Sequence, residues 1–328
     1  MSMIFSSCSE EDISGEGNNR SADNVSSLDK NLNQYSKYIV VYGDLQAYTI
    51  GQSQIVYYKG SCNWIKDQFD AGASICSVLA VGDITESNLP SQWDLFRTVS
   101  DTVSSVIPFY VCTGNHDYTW EASSKIHDRN TSLINSYAKS PLVEKSIVAY
   151  CYEDDISNYV ARLDGIEDLY LLVLEFGPRK EVMEWAKDYV IKNKDKSFIL
   201  MTHEWLTRYG ERVSSNSYAE SQFKGFSSYS TPEEVWNELV KPNDNVLCVI
   251  CGHNGFAAKL FSENMSGRQV PQILFNLQYQ ENGGNGLLQL WEFPSASDSV
   301  KICAYDTVNS EWYMPDSTSV SFKYKYFD

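Results

Sequence analysis

The chain has 328 residues with 43 acidic and 26 basic side chains, a formal net charge of −17 and 43% hydrophobic residues. That length suits one large domain or two modest ones, and the composition excludes wholesale disorder. So large an acidic surplus repels phosphate backbones and anionic headgroups, which excludes a nucleic-acid scaffold and electrostatic binding to a membrane surface. Only four histidines are present, at 116, 127, 203 and 253, so any imidazole chemistry draws on a short list.

At the N-terminus a short apolar scrap, Met1 to Phe5, leads to Ser6-Ser7-Cys8, then Ser9-Glu10-Glu11-Asp12 and a polar stretch to about Ser36. A full secretory signal needs a basic region and a longer apolar core, and neither is here. The arrangement resembles the end of a bacterial lipoprotein signal. It implies a lipid anchor at Cys8, residues 1–36 as signal remnant and disordered tether, and export to the outer membrane or cell surface, with the periplasm as alternative. The plainer reading is a ragged terminus with a chance cysteine. No apolar run reaches the roughly 18 residues of a membrane-spanning helix.

From Lys37 the pattern is regular. Apolar runs at Tyr38–Tyr42, Ile75–Val81 and Ile107–Cys112 predict strands, and apolar spacing predicts helices over about 60–71 and 90–104. Strand and helix alternating in this way is the grammar of a parallel α/β sheet. A polar segment at 118–145 reads as an insertion or lid. Strands are predicted again at 146–152, 159–163, 169–176 and 198–201, with a helix at 179–192 between the last two. After a Ser- and Tyr-rich loop at 210–230, Thr231-Pro232-Glu233-Glu234 supplies an N-cap, a first-turn proline and early acids for a helix to about Val240. The remainder reads as strands, with a turn at 282–286 and Tyr305 near the end of a final one.

The seven cysteines after Cys8 sit mostly in apolar runs and read as small buried hydrophobes rather than a disulfide framework. Cys248 and Cys251 are three apart in one strand, so alternation puts them on opposite faces and argues against structural zinc.

Polar residues recur where strands end: Gly43-Asp44-Leu45-Gln46, Gly82-Asp83-Ile84-Thr85-Glu86, Gly114-Asn115-His116-Asp117, Thr202-His203-Glu204 and Gly252-His253-Asn254-Gly255. In an open α/β sheet the carboxyl ends of neighbouring strands converge on one crevice, so these turns can meet. Two carboxylates, an amide oxygen and two imidazoles there make a plausible transition-metal donor set.

This ordered set, from Lys37 to about Phe293, resembles the calcineurin-like metallophosphoesterases, whose pattern is D-x-H, G-D-x-x-D/E, G-N-H-D/E, a lone His and G-H-x-H. Leu174 to Glu181 and Asn282 to Gly286 look like a bacterial branch in which the first motif reads D-x-Q. The resemblance implies that residues 37–328 form one α/β domain of two mixed β-sheets packed face to face and flanked by helices, a four-layer α-β-β-α sandwich. It implies divalent transition metals (Mn, Fe or Zn), two of them, that activate water to attack a phosphomonoester or phosphodiester. By motif position Asp44 and Gln46 face one metal, Asp83 bridges, and Asn115, His203 and His253 hold the second. His116 is the catalytic imidazole assisting the leaving group, with Asp117 placed to orient it.

Two departures fall on one metal position: Gln46 stands in place of histidine, and Gly255 in place of the second histidine of G-H-x-H. That position is then empty, filled by a harder ion, or completed by another group such as Asn254 or Gln278. Glu86 reads as a supporting or surface acid and His127 as a surface histidine. There is no G-x-S-x-G, Walker A or dinucleotide fingerprint. The expected activity is metal-dependent phosphoester hydrolysis of a small-molecule or glycan-linked ester. The alternative is a degenerate, non-catalytic member that binds or scaffolds at the cell surface.

Overall fold

A computed structural model describes residues 32–121, 126–129, 132–214, 229–313 and 315–324. Cys8, the expected tether up to residue 31, and most of the 210–230 loop lie outside the described residues, as does the side chain of His127. The chain opens with β1 (Ser36–Tyr42), α1 (Gln52–Asp70), β2 (Ser74–Ala80), α2 (Pro90–Ser104) and β3 (Phe109–Val111). A short hairpin of β4 (Thr119–Glu121) and β5 (Ile126–Asp128) falls in the expected insertion, followed by β6 (Ile147–Tyr150), β7 (Tyr159–Arg162), β8 (Leu169–Val173), α3 (Lys180–Lys192) and β9 (Ser197–Met201). Then come α4 (Pro232–Val235), β10 (Val246–Cys251), β11 (Phe256–Glu263), β12 (Gln269–Asn276), β13 (Leu287–Pro294), β14 (Ser299–Asp306), β15 (Glu311–Tyr313) and β16 (Val320–Lys323).

The strands form two seven-stranded mixed sheets. One has the order β15-β14-β13-β1-β2-β3, with β16 also on β14; the other runs β11-β12-β10-β9-β8-β7-β6. β1, β2 and β3 are parallel, as are β8, β9, β10 and β12. The inner faces meet in one core in which Ile39, Val41 and Leu79 join Val173, Met201 and Ile250. Outside, Tyr58, Ile65, Trp93 and Phe96 of α1 and α2 cover the first sheet. Val182, Ala186 and Val190 of α3 pack with Leu172, Leu200 and Val249 on the second. The result is the four-layer sandwich. Cys248 lies in the inter-sheet core and Cys251 in the helix-facing one, on opposite faces as alternation requires; both are free thiols.

Three boundaries differ from the sequence reading. Helix α1 begins at Gln52 rather than near 60, because Ile55 and Tyr58 already face the core and Gly60 has open space around it. Strand β8 ends at Val173 rather than 176, because Glu175 turns to meet Arg129 and Arg179. The strand that ends near Tyr305 is not the last, since β15 and β16 pair back onto it. The α4 cap is as read: Thr231 Oγ1 accepts from Glu234 N, and the Glu234 carboxylate accepts from Thr231 N. No helix of the described residues is long and apolar enough to cross a membrane.

Candidate metal centre

Each motif begins just past a strand's carboxyl end: Asp44 after β1, Asp83 after β2, Asn115 after β3, His203 after β9 and His253 after β10. Backbone ties knit these turns together. Leu45 N donates to Asp83 O at 2.9 Å, and Gly252 N donates to His203 O at 2.9 Å. His116 N donates to Asp83 Oδ1 at 2.9 Å, and His253 N donates to Asp44 Oδ1 at 3.1 Å.

The approach is so close that two glycines have no substitute. A Cβ on Gly114 would lie 2.1 Å from Asp83 Oδ1, and one on Gly82, at φ +98°, would lie 2.5 Å from His203 Nδ1. Asp83 and His253 themselves hold φ of 48° and 67°, conformations that surrounding structure must enforce.

Asp83, His203 and His253 each place a ligand atom within 4.8 Å of the others. The His203 ring is oriented by its Nδ1, 2.7 Å from Val81 O, which makes Nδ1 the protonated nitrogen and leaves Nε2 toward Asp83. Nε2 is 3.1 Å from Asp83 Oδ2, but off the line a hydrogen bond needs. Gln46 Oε1 and Asn115 Oδ1 are likewise buried without a hydrogen-bond partner. These three bare atoms are the atoms through which glutamine, asparagine and histidine bind cations.

Burial and mutual attraction set the electrostatics of the cluster. Burial raises the Asp44 pKa well above the ordinary range, and Asp83 adds to it. Burial also disfavours the charged forms of Asp83 and His203, yet each one's attraction to the other wins, so the Asp83 pKa falls and the His203 pKa rises. Burial and the facing His203 push His253 down to about 3, leaving it neutral.

The Asp44 side is built differently. Asp44 Oδ2 accepts from Asn276 Nδ2 at 2.6 Å and from Gln278 Nε2 at 3.1 Å, while Gln46 Nε2 donates to Gln278 Oε1 at 2.8 Å. Of the two groups considered to complete this position, Gln278 is in the network, whereas the Asn254 amide donates to Leu206 O. Asn276 escaped sequence reasoning, although it carries the same signal as the other ligands: a polar residue closing an apolar strand.

The His116 ring has Nδ1 2.7 Å from the Glu86 carbonyl. Burial would lower its pKa, but Asp83 and the Glu86 carbonyl and carboxylate raise it. Asp117, expected to orient this ring, spends its carboxylate on the backbone instead: it accepts from Gly114 N, Ile84 N, Thr85 N and Thr85 Oγ1. Its role is corrected to clamping the two ligand loops, and the Glu86 carbonyl is what orients the ring. Phe176 packs against both histidines, 5.6 Å from the His203 ring and 5.3 Å from His253, whose own centroids are 5.0 Å apart. Glu204, buried beside them, places Oε1 3.8 Å from His253 Nε2 and accepts from the Tyr229 hydroxyl.

A four-layer α/β sandwich with carboxylate, amide and imidazole atoms gathered at its strand ends defines the class of protein with a candidate metal site at the carboxyl ends of its strands. The calcineurin-like phosphoesterase family model matches residues 28–254, and the chain belongs to that family. It is 28% identical over 251 residues to the uncharacterized protein YvnB of Bacillus subtilis, covering 74% of this chain and 18% of that protein. It is 29% identical over 92 residues to a probable inactive purple acid phosphatase 27 of Arabidopsis thaliana, covering 27% of this chain and 15% of that one. The chain therefore spans less than a fifth of the length of these curated relatives. A solved structure of a conserved uncharacterized protein and predicted phosphoesterase from Streptococcus pneumoniae aligns over 88% of this chain and 98% of its own, at 12% identity and a TM-score of 0.35.

Proposed function

We propose that the chain hydrolyses a phosphomonoester or phosphodiester with divalent transition metal held at the strand-end cluster. The observation that carries this reading is the trio of buried, unpartnered ligand atoms, Gln46 Oε1, Asn115 Oδ1 and His203 Nε2, gathered on loops tied to Asp44 and Asp83. Each buried polar atom left bare costs about 1–3 kcal/mol, so a fold that leaves three on one set of loops is built for a cation to satisfy them. Asp83, Asn115, His203 and His253 would hold one ion, and Asp44 and Gln46, sharing Asp83, would hold a second of the Mn, Fe or Zn type. Once bound, such ions supply positive charge for phosphoryl oxygens and acidify water for nucleophilic attack.

The protein's own groups do the rest. Val81 O fixes the His203 tautomer, and Asp117 holds the β2 and β3 loops at their close approach. His116, with Nδ1 on the Glu86 carbonyl and its imidazolium favoured by Asp83, keeps Nε2 to protonate the leaving oxygen. The test is hydrolysis of a generic aryl phosphate ester by metal-loaded protein. His116→Asn is expected to slow turnover by about 10²–10⁴-fold while metal content stays constant; an unchanged rate would sink the assignment.

A second reading, a non-catalytic member that binds at the cell surface, draws support from the Asp44 side, whose Oδ2 is already occupied by two amide donors. Metal content separates the two: two tightly held transition metals per chain favour the hydrolase, and none favours the binder. For the substrate we favour a small-molecule or glycan-linked ester. An exported lipoprotein anchored at Cys8 is supported by the Ser6-Ser7-Cys8 sequence and the acidic stretch behind it.

A further inference from the structure

Two large aromatic side chains stand in solvent beside the centre. Phe256 is 43% exposed and Tyr279 is 65% exposed; their ring centroids lie 6.4 Å apart with planes inclined at 52°, so they form an open corner. Both hang from segments that grip the Asp44 carboxylate. Three residues before Phe256, His253 N donates to Asp44 Oδ1; one residue before Tyr279, Gln278 Nε2 donates to Asp44 Oδ2. The corner is thereby held at a short, fixed reach along the chain from the candidate metal ligands.

Two observations show that the fold gives something up to keep this corner. Phe256 adopts φ +84°, where a bulky residue is a genuine outlier, and such strain persists at ligand clamps whose surroundings over-determine it. Here the surroundings are the pairing of Phe256 with Asn276, whose amide is itself bound to Asp44. The second observation is Gly255: a Cβ there would lie 2.6 Å from Cδ2 and Cε2 of Tyr279. The position that the G-H-x-H pattern gives to an imidazole is thus crossed by the tyrosine ring. A histidine at 255 and Tyr279 in its present place exclude one another, so an aromatic surface stands where the pattern has a ligand.

We propose that Phe256 and Tyr279 receive the planar aromatic ring of a phosphate ester, which makes the substrate class aryl or nucleoside phosphates rather than small alkyl phosphates. This rests on the phosphoesterase reading of the site. A ring laid on one face with its edge toward the other satisfies the quadrupoles of both side chains. It also adds an uncharged contact for an anionic ligand approaching a protein of net charge −17.

Titration calorimetry on the full chain with Mn²⁺ present tests this with phenylphosphonate, adenosine 5′-monophosphate and methylphosphonate, beside a hydrolysis assay on phenyl phosphate. A ring-bearing ligand is expected to bind about tenfold more tightly than methylphosphonate, and Tyr279→Ala and Phe256→Gly each to remove most of that preference. Because glycine accepts φ +84° freely, Phe256→Gly should leave the melting temperature unchanged or higher, which a merely structural ring would not. The tighter of the two ring ligands tells a nucleobase from a simple aryl group. Equal affinity for all three ligands, or a preference intact in both variants, overturns the corner. Ring preference without hydrolysis keeps the corner and defeats the hydrolytic reading; hydrolysis without preference does the reverse.

Discussion

The two halves of the centre solve the same problem in opposite ways. On the Asp83 side, His203 Nε2 and Asn115 Oδ1 are buried without a hydrogen-bond partner, and Nε2 faces the Asp83 carboxylate at 3.1 Å. On the Asp44 side the carboxylate is met by Asn276, Gln278 and the His253 backbone, and a tyrosine ring crosses the place of a missing imidazole. One half leaves buried polar atoms bare, while the other is largely closed by protein amides. The contrast teaches that losing imidazoles does not empty a site evenly. Neutral amide oxygens remain as available donors, and such oxygens favour harder and more weakly held ions.

The sharpest way to break this comparison is to remove the bare ligand. His203→Ala should cut both metal affinity and turnover by more than the roughly 10–100-fold typical of supporting residues, read by metal titration and hydrolysis, with circular dichroism to confirm folding. Next is Asp117→Ala, which orphans the buried N–H groups of Gly114, Ile84 and Thr85. Denaturant unfolding should show a loss of about 3 kcal/mol or more. If Asp117 only oriented His116, turnover would fall and stability would not.

Gln46→His tests the other half. Restoring nitrogen at that position should raise the equivalents of Zn²⁺ or Mn²⁺ retained after dialysis, with a smaller effect on turnover than either change above. Smallest is Glu204→Gln, which weakens the support of His253 from 3.8 Å; metal affinity should fall about tenfold or less.

The centre was legible because Asp44, Asp83, Asn115 and His253 each follow an apolar strand through a glycine and His203 follows one through Thr202, and five such strand ends in order leave few folds to choose from. What stayed hidden depends on contacts far apart in the chain. The placement of β13 between β14 and β1 joins residues such as Val40 and Leu290, which no local pattern links. Asp117 sits beside His116 in sequence, which invites an orienting role, yet its oxygens reach back to the β2 loop at Ile84 and Thr85. The amide network of Gln46, Asn276 and Gln278 spans some 230 residues, and Gly255 reads as a loss until Tyr279 is seen lying across it.

The most direct test of the account is the metal content of the full chain purified without chelator, measured by elemental analysis beside His203→Ala. The account predicts at least one tightly held transition metal per wild-type chain and its loss in the variant. No metal in the wild type, or the same content in both proteins, would contradict it.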